Sequence, residues 1–212
     1  MTPQAILFDF DGTIADTLEV IVRITNRLAN EFGYPPITSE QLLYLKNISS
    51  RQILQNSQVS IFQLPLLLRR VRQEMKQEIP SIQPISGMPL ILEQLSQKNN
   101  LKLGIVTSNQ ENNVRLFLEN HQISHLFSFV KSGRTLLGKH KLLKKAIKPE
   151  KLSVQQVLYV GDETRDIEAA KKIEISSVAV SWGFNSPQIL QTYHPDFLIS
   201  HPQELLQIVQ NW

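Results

Sequence analysis

The chain has 212 residues, a net charge of +3 and no cysteine, with 42% hydrophobic and 19% charged residues. That is the balance of a globular protein of one sizeable domain or of a domain with an insert, and it excludes a disordered tail. Zero cysteine excludes disulfides, cysteine-based metal sites and cysteine nucleophiles, and no apolar run approaches the ~18 residues of a membrane helix.

Six short apolar runs read as buried strands: Ala5–Phe8, Leu101–Thr107, Phe127–Val130, Val157–Val160, Ser177–Val180 and Phe197–Ile199. Several are continuous rather than alternating, as expected for strands covered on both faces. From the second run on, helical patterns separate them, at 110–120, 139–148, 164–173, 186–192 and 202–210. Such alternation implies an α/β fold, Rossmann-like, with a mostly parallel sheet. Between the first two runs the pattern changes. Leu18, Ile21, Thr25, Leu28 and Phe32 follow helical spacing and Gly33 supplies a stop. Thr38-x-x-Gln41 and Ser49-x-x-Gln52 read as capping boxes, and Leu64, Leu67, Leu68, Val71 and Met75 mark a fourth helix closed by Pro80. The expected organisation is a core of residues 1–14 and 84–212 with a helical insert, a cap of four helices, over 15–83.

Charge is unevenly placed. Residues 131–151 hold eight Lys or Arg, Arg134 among them, and one acid, Glu150. Leu142, Leu143, Ala146 and Ile147 would form one face of a helix there, with Lys141, Lys144, Lys145 and Lys148 off it, so most of these lysines read as a solvated face. No aromatic–basic stripe accompanies them, which argues against a nucleic-acid partner. The start Met1-Thr-Pro-Gln lacks the basic region of a signal peptide, so the expectation is a cytoplasmic protein with no membrane partner.

Only six aspartates occur, at 9, 11, 16, 162, 166 and 196, and four of them lie directly after predicted strands. In open α/β sheets ligands bind beyond the carboxyl ends of strands. Asp9 and Asp11 are two apart and project the same way from an extended backbone. A turn would explain Asp11-Gly12 but not an acid at the end of a buried strand; like charges this close need a cation or a proton between them. Asp162, Glu163 and Asp166 follow the most apolar run. Helix capping, with Asp162 as N-cap, would explain one such acid; three suggest a hard-cation site. After the second strand come Thr107, Ser108 and Asn109. Ser108-x-x-Glu111 reads as a capping box, and Thr107 equally places a hydroxyl beside free helix N–H groups that suit an anionic oxygen. Lys139 stands at a helix start, where the macrodipole disfavours a cation unless a phosphate is near; Lys141 competes for that role. His121 and His125 read as surface or packing residues. No Gly-rich phosphate loop is present, which argues against a nucleotide-binding protein.

In this order the four segments resemble the motifs of the haloacid dehalogenase superfamily of hydrolases: Asp9-Phe-Asp11-Gly-Thr13, Thr107-Ser-Asn, Lys139 and Gly161-Asp162-x-x-x-Asp166. Lys139-His140 departs from the Lys-Pro often found there. The insert sits where that family carries a cap, and Ser181-Trp182-Gly183-Phe184 looks like the corresponding segment of phosphoglycolate phosphatase-like members. The resemblance implies a Mg2+-dependent phosphatase of small phosphate monoesters, with Asp9 as nucleophile and Asp11 as general acid and base. It implies Mg2+ on Asp9, the Asp11 carbonyl and Asp162, supported by Asp166. Thr107, Ser108 and Asn109 would meet the phosphoryl group, and Lys139 would neutralise charge. A monomer or weak homodimer is expected. Sugar phosphomutase, pyrophosphatase and dehalogenase readings share the fold, and a phospho-accepting regulator shares the acid–lysine logic. Arg51 is the candidate for the far end of a carboxylate or second phosphate, its competing reading being a solvated first-turn residue. A lid over a buried site is expected to leave limited room.

Overall fold

The computed structural model describes residues 3–56, 59–60, 62–133 and 138–212; Arg134 lies outside them. Strand β1 (Ala5–Phe8) is followed by four helices, α1 (Leu18–Phe32), α2 (Ser39–Lys46), α3 (Ser50–Gln55) and α4 (Leu64–Glu78). Then come α5 (Met88–Ser96), β2 (Lys102–Thr107), α6 (Glu111–Asn120), β3 (Phe129–Ser132), α7 (Lys139–Ile147) and β4 (Val157–Gly161). The chain closes with α8 (Thr164–Lys171), β5 (Ser176–Val180), α9 (Pro187–Thr192), β6 (Phe197–Ile199) and α10 (Glu204–Gln210).

The six strands form one parallel sheet in the order β3-β2-β1-β4-β5-β6. The alternation expected from sequence is therefore an α/β fold with both sheet faces covered. Side-chain period two divides the strands cleanly. Ile6, Phe8, Ile105, Leu158 and Val160 pack with α5, α6 and α10 on one face. Ala5, Leu7, Val106, Val157 and Tyr159 pack with α7 and α8 on the other. Phe10, just past β1, meets Phe117 of α6 edge-on with centroids 5.1 Å apart, and both are fully buried. The order reverses at β1, whose neighbours are β2 and β4, so the tips of these three strands share one crevice.

Several local expectations are met. Gly33 ends α1 with φ +72°, and Thr38 and Ser49 each form a capping box with Gln41 and Gln52. Others are corrected. The third strand lies two residues later than the apolar run at Phe127 suggests, because a turn of 3-10 helix over Ser124–Leu126 uses its start. Helix α5 was not anticipated. It buries Met88, Ile91, Leu92 and Leu95, a helical stripe directly behind the turn residues Pro84 and Gly87.

The four helices after β1 leave and rejoin the sheet through two crossing segments. Asp16 N–H donates to Gln83 O at 2.9 Å and Ile85 N–H to Ile14 O at 2.8 Å. They also touch the strand ends. Ser50 Oγ donates to Glu163 at 2.9 Å, Ser186 N–H to Lys46 O at 2.8 Å and Asn185 Nδ2 to Ile48 O at 3.1 Å. Between α1 and α4, Arg23–Glu78 and Arg70–Glu31 pair at 2.8 Å on the surface, where each contributes little. Among the described residues no helix is long and apolar enough to cross a membrane.

Phe117 joins α6 to the β1 loop that carries the aspartates. Phe117→Ala is expected to cost about 3–5 kcal/mol in urea unfolding. Leu43→Ala, at a residue 64% exposed, should stay within about 0.5 kcal/mol.

Candidate active site

The crevice at the tips of β1, β2 and β4 gathers the residues that the sequence singled out. Asp9 continues β1, its N–H donating to Val160 O at 2.8 Å, and its Oδ1 accepts from Phe10 N–H at 2.8 Å. Its Oδ2 accepts from Lys139 Nζ. Lys139 enters from the first turn of α7 and also donates to Asp166 Oδ1. All three are within a few percent of complete burial. Lys141 is exposed, so helical phase settles which lysine faces the crevice. Burial alone would depress the Lys139 ammonium, but Asp166 and Asp9 outweigh it and raise its pKa.

Asp162 and Asp166 reach the crevice by different routes. Asp162 follows β4 and accepts from Thr13 Oγ1 at 2.9 Å and Phe184 N–H at 2.8 Å. Burial, then Glu163, Asp166 and Asp9, raise its carboxyl well above the usual carboxylate range. Asp166 takes part in the cap of α8: its Oδ2 accepts from Glu163 N–H at 3.0 Å, and Tyr159 OH donates to its Oδ1 at 3.3 Å. Burial pushes it up to about 6 although Lys139 pulls the other way. The N-cap is thus Glu163, not Asp162, which leaves Asp162 to face the crevice. Glycine is required beside it. Gly12 has φ +71°, and a Cβ there would stand 2.2 Å from Asp162 Oδ2. A Cβ on Gly183 would stand 2.3 Å from Asp162 Cβ.

Asp11 lies at the crevice mouth, partly exposed. Desolvation first, then the Asp9 charge, push its carboxyl up to about 7, against the Asn109 hydrogen bonds and Arg165. Asn109 Nδ2 donates to both Asp11 oxygens at 3.0 Å. Thr107, fully buried at the tip of β2, accepts Asn109 N–H at 3.0 Å. Ser108 lines the crevice but caps nothing: α6 starts behind Gln110 without a side-chain cap, so the expected Ser108-x-x-Glu111 box is absent. Asn109 Oδ1 instead accepts Gln110 N–H at 2.7 Å.

Above the acids, α1–α4 roof a cavity of about 600 Å³. The room is therefore larger than the sequence suggested. Arg51 does not line it. It sits on the exposed side of the six-residue α3, while Ser50, Ile53 and Leu54 face inward. His121 packs, as expected, on Phe117 and against Ile82 O at 2.8 Å. Three further participants, not singled out beforehand, join Thr13 of the first motif. Thr13 and Tyr159 hold Asp162 and Asp166, Arg165 pairs with Glu163 on the cavity wall, and buried Asn185 ties Thr164 to the helices above. Thr13 carried a signal in its place two residues after Asp11; Arg165 carried one in lying between two acids.

Oxygens of Asp9, Asp162 and Asp166 lie within 4.8 Å of one another. With Asp11 and Glu163 nearby, five acids face two cations, Lys139 and Arg165. A donor set of hard oxygens with excess negative charge fits a divalent cation such as Mg2+.

The haloacid dehalogenase-like hydrolase family matches residues 6–180. The chain belongs to that family. It is therefore a hydrolase. A phosphoglycolate phosphatase of Synechococcus elongatus is 41% identical over 206 residues, 97% of each chain. Among solved structures, a haloacid dehalogenase-like family protein of Streptococcus pneumoniae superposes with a TM-score of 0.80 at 23% identity, covering 98% of each chain. A Clostridium acetobutylicum protein described as a predicted phosphatase gives 0.85 at 18% identity over 100% of each. At those identities the two structures speak for the fold alone.

The raised carboxyls set a pH dependence. An acid whose folded pKa lies above its unfolded value stabilises the fold below the unfolded value, and that stability is lost as pH rises through the folded one. In chelator the melting temperature should therefore fall as pH rises from about 5 through the region of 6 to 7 where Asp166 and Asp11 titrate. Magnesium should restore it at pH 7.5, and Asp162→Asn should flatten the chelated profile. A scanning-fluorimetry series reads all three.

Proposed function

We propose that the protein is a Mg2+-dependent phosphatase of small phosphate monoesters, phosphoglycolate-like in substrate, working through an aspartyl-phosphate on Asp9. The carrying observation is the pairing of two acids two residues apart, with Asp9 held by Lys139 and Asp11 pushed up to about 7. The 41% identical phosphatase supports the same reading.

On this reading an Asp9 oxygen attacks phosphorus and the bond to the leaving oxygen breaks. Asp11, protonated, gives its proton to that oxygen. It then takes a proton from water, whose oxygen attacks phosphorus, and the bond to Asp9 breaks to return its carboxylate. A group titrating near 7 can do both. Asn109 orients Asp11 through its two hydrogen bonds. Thr107 Oγ1 accepts from Asn109 N–H and keeps its own proton for a phosphoryl oxygen. Lys139 offsets the charge that gathers on Asp9 and the phosphoryl group. Asp9, Asp162 and the Asp11 carbonyl would hold Mg2+, with Asp166 behind them; the ion supplies charge stabilisation to the phosphoryl oxygens. Residues 15–83 act as the cap that screens the reaction from water.

Purified protein should release phosphate from an alkyl phosphate only with magnesium. Asp9→Asn should reduce release to background. Asp11→Asn should slow it by roughly 10²–10⁴-fold, most for alkyl esters and least for a good aryl leaving group. Parent-like turnover by Asp9→Asn would remove the aspartyl-phosphate.

A second test addresses Asp11 alone. The Asn109 hydrogen bonds favour its charged form and lower its pKa. Asn109→Ala should move the corresponding limb of the pH–rate profile to higher pH, with no change in the magnesium requirement.

A further inference from the structure

We propose that the cavity beneath α1–α4 is a leaving-group pocket for phosphate monoesters that carry an apolar aliphatic or aromatic group. This rests on the phosphatase reading above for its chemistry and departs from it in the substrate, an apolar ester in place of a phosphoglycolate-like one. If Asp9 takes the phosphoryl group, the rest of the ester must occupy the space that begins at Asp11, Ser108 and Asp162. That space is about 600 Å³. Pockets of ~300–1,000 Å³ enclose ligands far larger than a two-carbon acid, with a few polar groups orienting a mostly apolar body.

The core and the helices after β1 contribute different chemistry to the lining of the cavity. Its floor carries the carboxylates, Asn109 and Arg165. Its walls are mostly apolar, with Ile21 and Val22 of α1, Ile53 and Leu54 of α3, and Leu68 and Val71 of α4, and carry a few neutral polar groups, among them Tyr34, Gln41 and Asn56. Among the described residues Arg72 is the single charged side chain that these four helices bring to the lining. Setting a carboxylate against such walls costs several kcal/mol in lost hydration unless it is paired. Setting a hydrocarbon there is favourable in proportion to the area covered.

The space is not a gap left by helices swung away from the sheet. They already touch it through Ser50 and Glu163, through Lys46 O and Ser186, and through Ile48 O and Asn185. The cavity persists with these contacts made. Leu18, Ile21 and Val22 of α1 line this cavity, while Val20, Ile24 and Leu28 form the buried face.

The test is a series of n-alkyl phosphates from methyl to octyl, with phosphoglycolate alongside. The rate kcat/KM should rise with chain length, by up to about fourfold per methylene, until the cavity is filled. Val22→Phe and Leu68→Phe, on two different helices, should each reduce the octyl-to-methyl ratio at least tenfold. Binding of non-hydrolysable alkylphosphonates, measured by calorimetry, should strengthen along the same series with an increasingly negative heat-capacity change. A flat or falling series in both rate and binding overturns the pocket, and a selective loss of phosphoglycolate turnover in Arg72→Met would then favour a carboxylate reader instead. Phosphonate binding that rises with length while no ester is hydrolysed would keep the pocket and sink the phosphatase reading.

Discussion

Lys139 is buried between Asp9 and Asp166, and much of the molecule is arranged so that this charge can be there. A buried ammonium is tolerated only with partners that satisfy it, and losing one partner would leave an uncompensated charge in the interior. The partners come from β1 and from the first turn of α8, behind β4. Those strands are neighbours only because the sheet order reverses at β1. The lysine itself needs the start of α7, an unfavourable place for a cation that the two acids make favourable. Tyr159, with Lys139 Nζ 5.5 Å from its ring centroid and its hydroxyl on Asp166, closes the far side. Asp162 is the acid left over. It has a hydroxyl and an N–H as donors but no ion-pair partner, and burial, then the charges of Glu163, Asp166 and Asp9, raise its carboxyl well above the usual carboxylate range.

This electrostatic floor contrasts with what stands above it. The four helices after β1 pack through apolar side chains of α1 and α4 that belong to the same core as β1, α5 and α6, and they also reach the strand tips through a handful of hydrogen bonds. Most of those bonds involve backbone carbonyls at the end of α2 and just beyond it, or Ser50. The two crossing segments at Ile14–Asp16 and Gln83–Ile85 are held by paired backbone bonds.

Much of the floor was legible because carboxylates are rare in this chain and fall directly behind continuous apolar runs. Burial of a strand end makes an acid there conspicuous, so Asp9, Asp162 and Asp166 declared themselves. Lys139 and Lys141 could not be separated by spacing alone; the phase of α7, fixed by Leu143, Ala146 and Ile147, turns the first inward. Arg51 failed for the same kind of reason. With six residues and no buried position, α3 has no stripe from which to read its phase. Ser108 was read as a cap because its spacing to Glu111 is right, yet Asn109 captures the local N–H groups first. Helix α5 has a clear stripe that was passed over behind two prolines and a glycine. Asn185 was invisible because its partners Thr164, Lys46 and Ile48 are distant in sequence, whereas Arg165 pairs with Glu163 only two residues away and its place between two acids was the available signal.

The two acids of the first loop end with different properties although they are chemically identical and nearly adjacent. Asp9 is locked between Lys139 and the Phe10 N–H, so its charge is matched and its position fixed. Asp11 has the Asn109 amide, with Arg165 and Thr17 in lesser roles, and it sits where burial and the Asp9 charge both favour the proton. Environment, not residue type, therefore sets them apart: Asp9 is held by an ammonium and a backbone N–H, while the Asp11 carboxyl is pushed up to about 7. Gly12 is part of that separation. Its left-handed backbone turns the chain immediately after Asp11, while the missing Cβ lets Asp162 approach from β4. A side chain at that position would displace Asp162 and strain the loop at once. The same few residues thus bring Asp9, Asp11 and Asp162 to one crevice in three different environments.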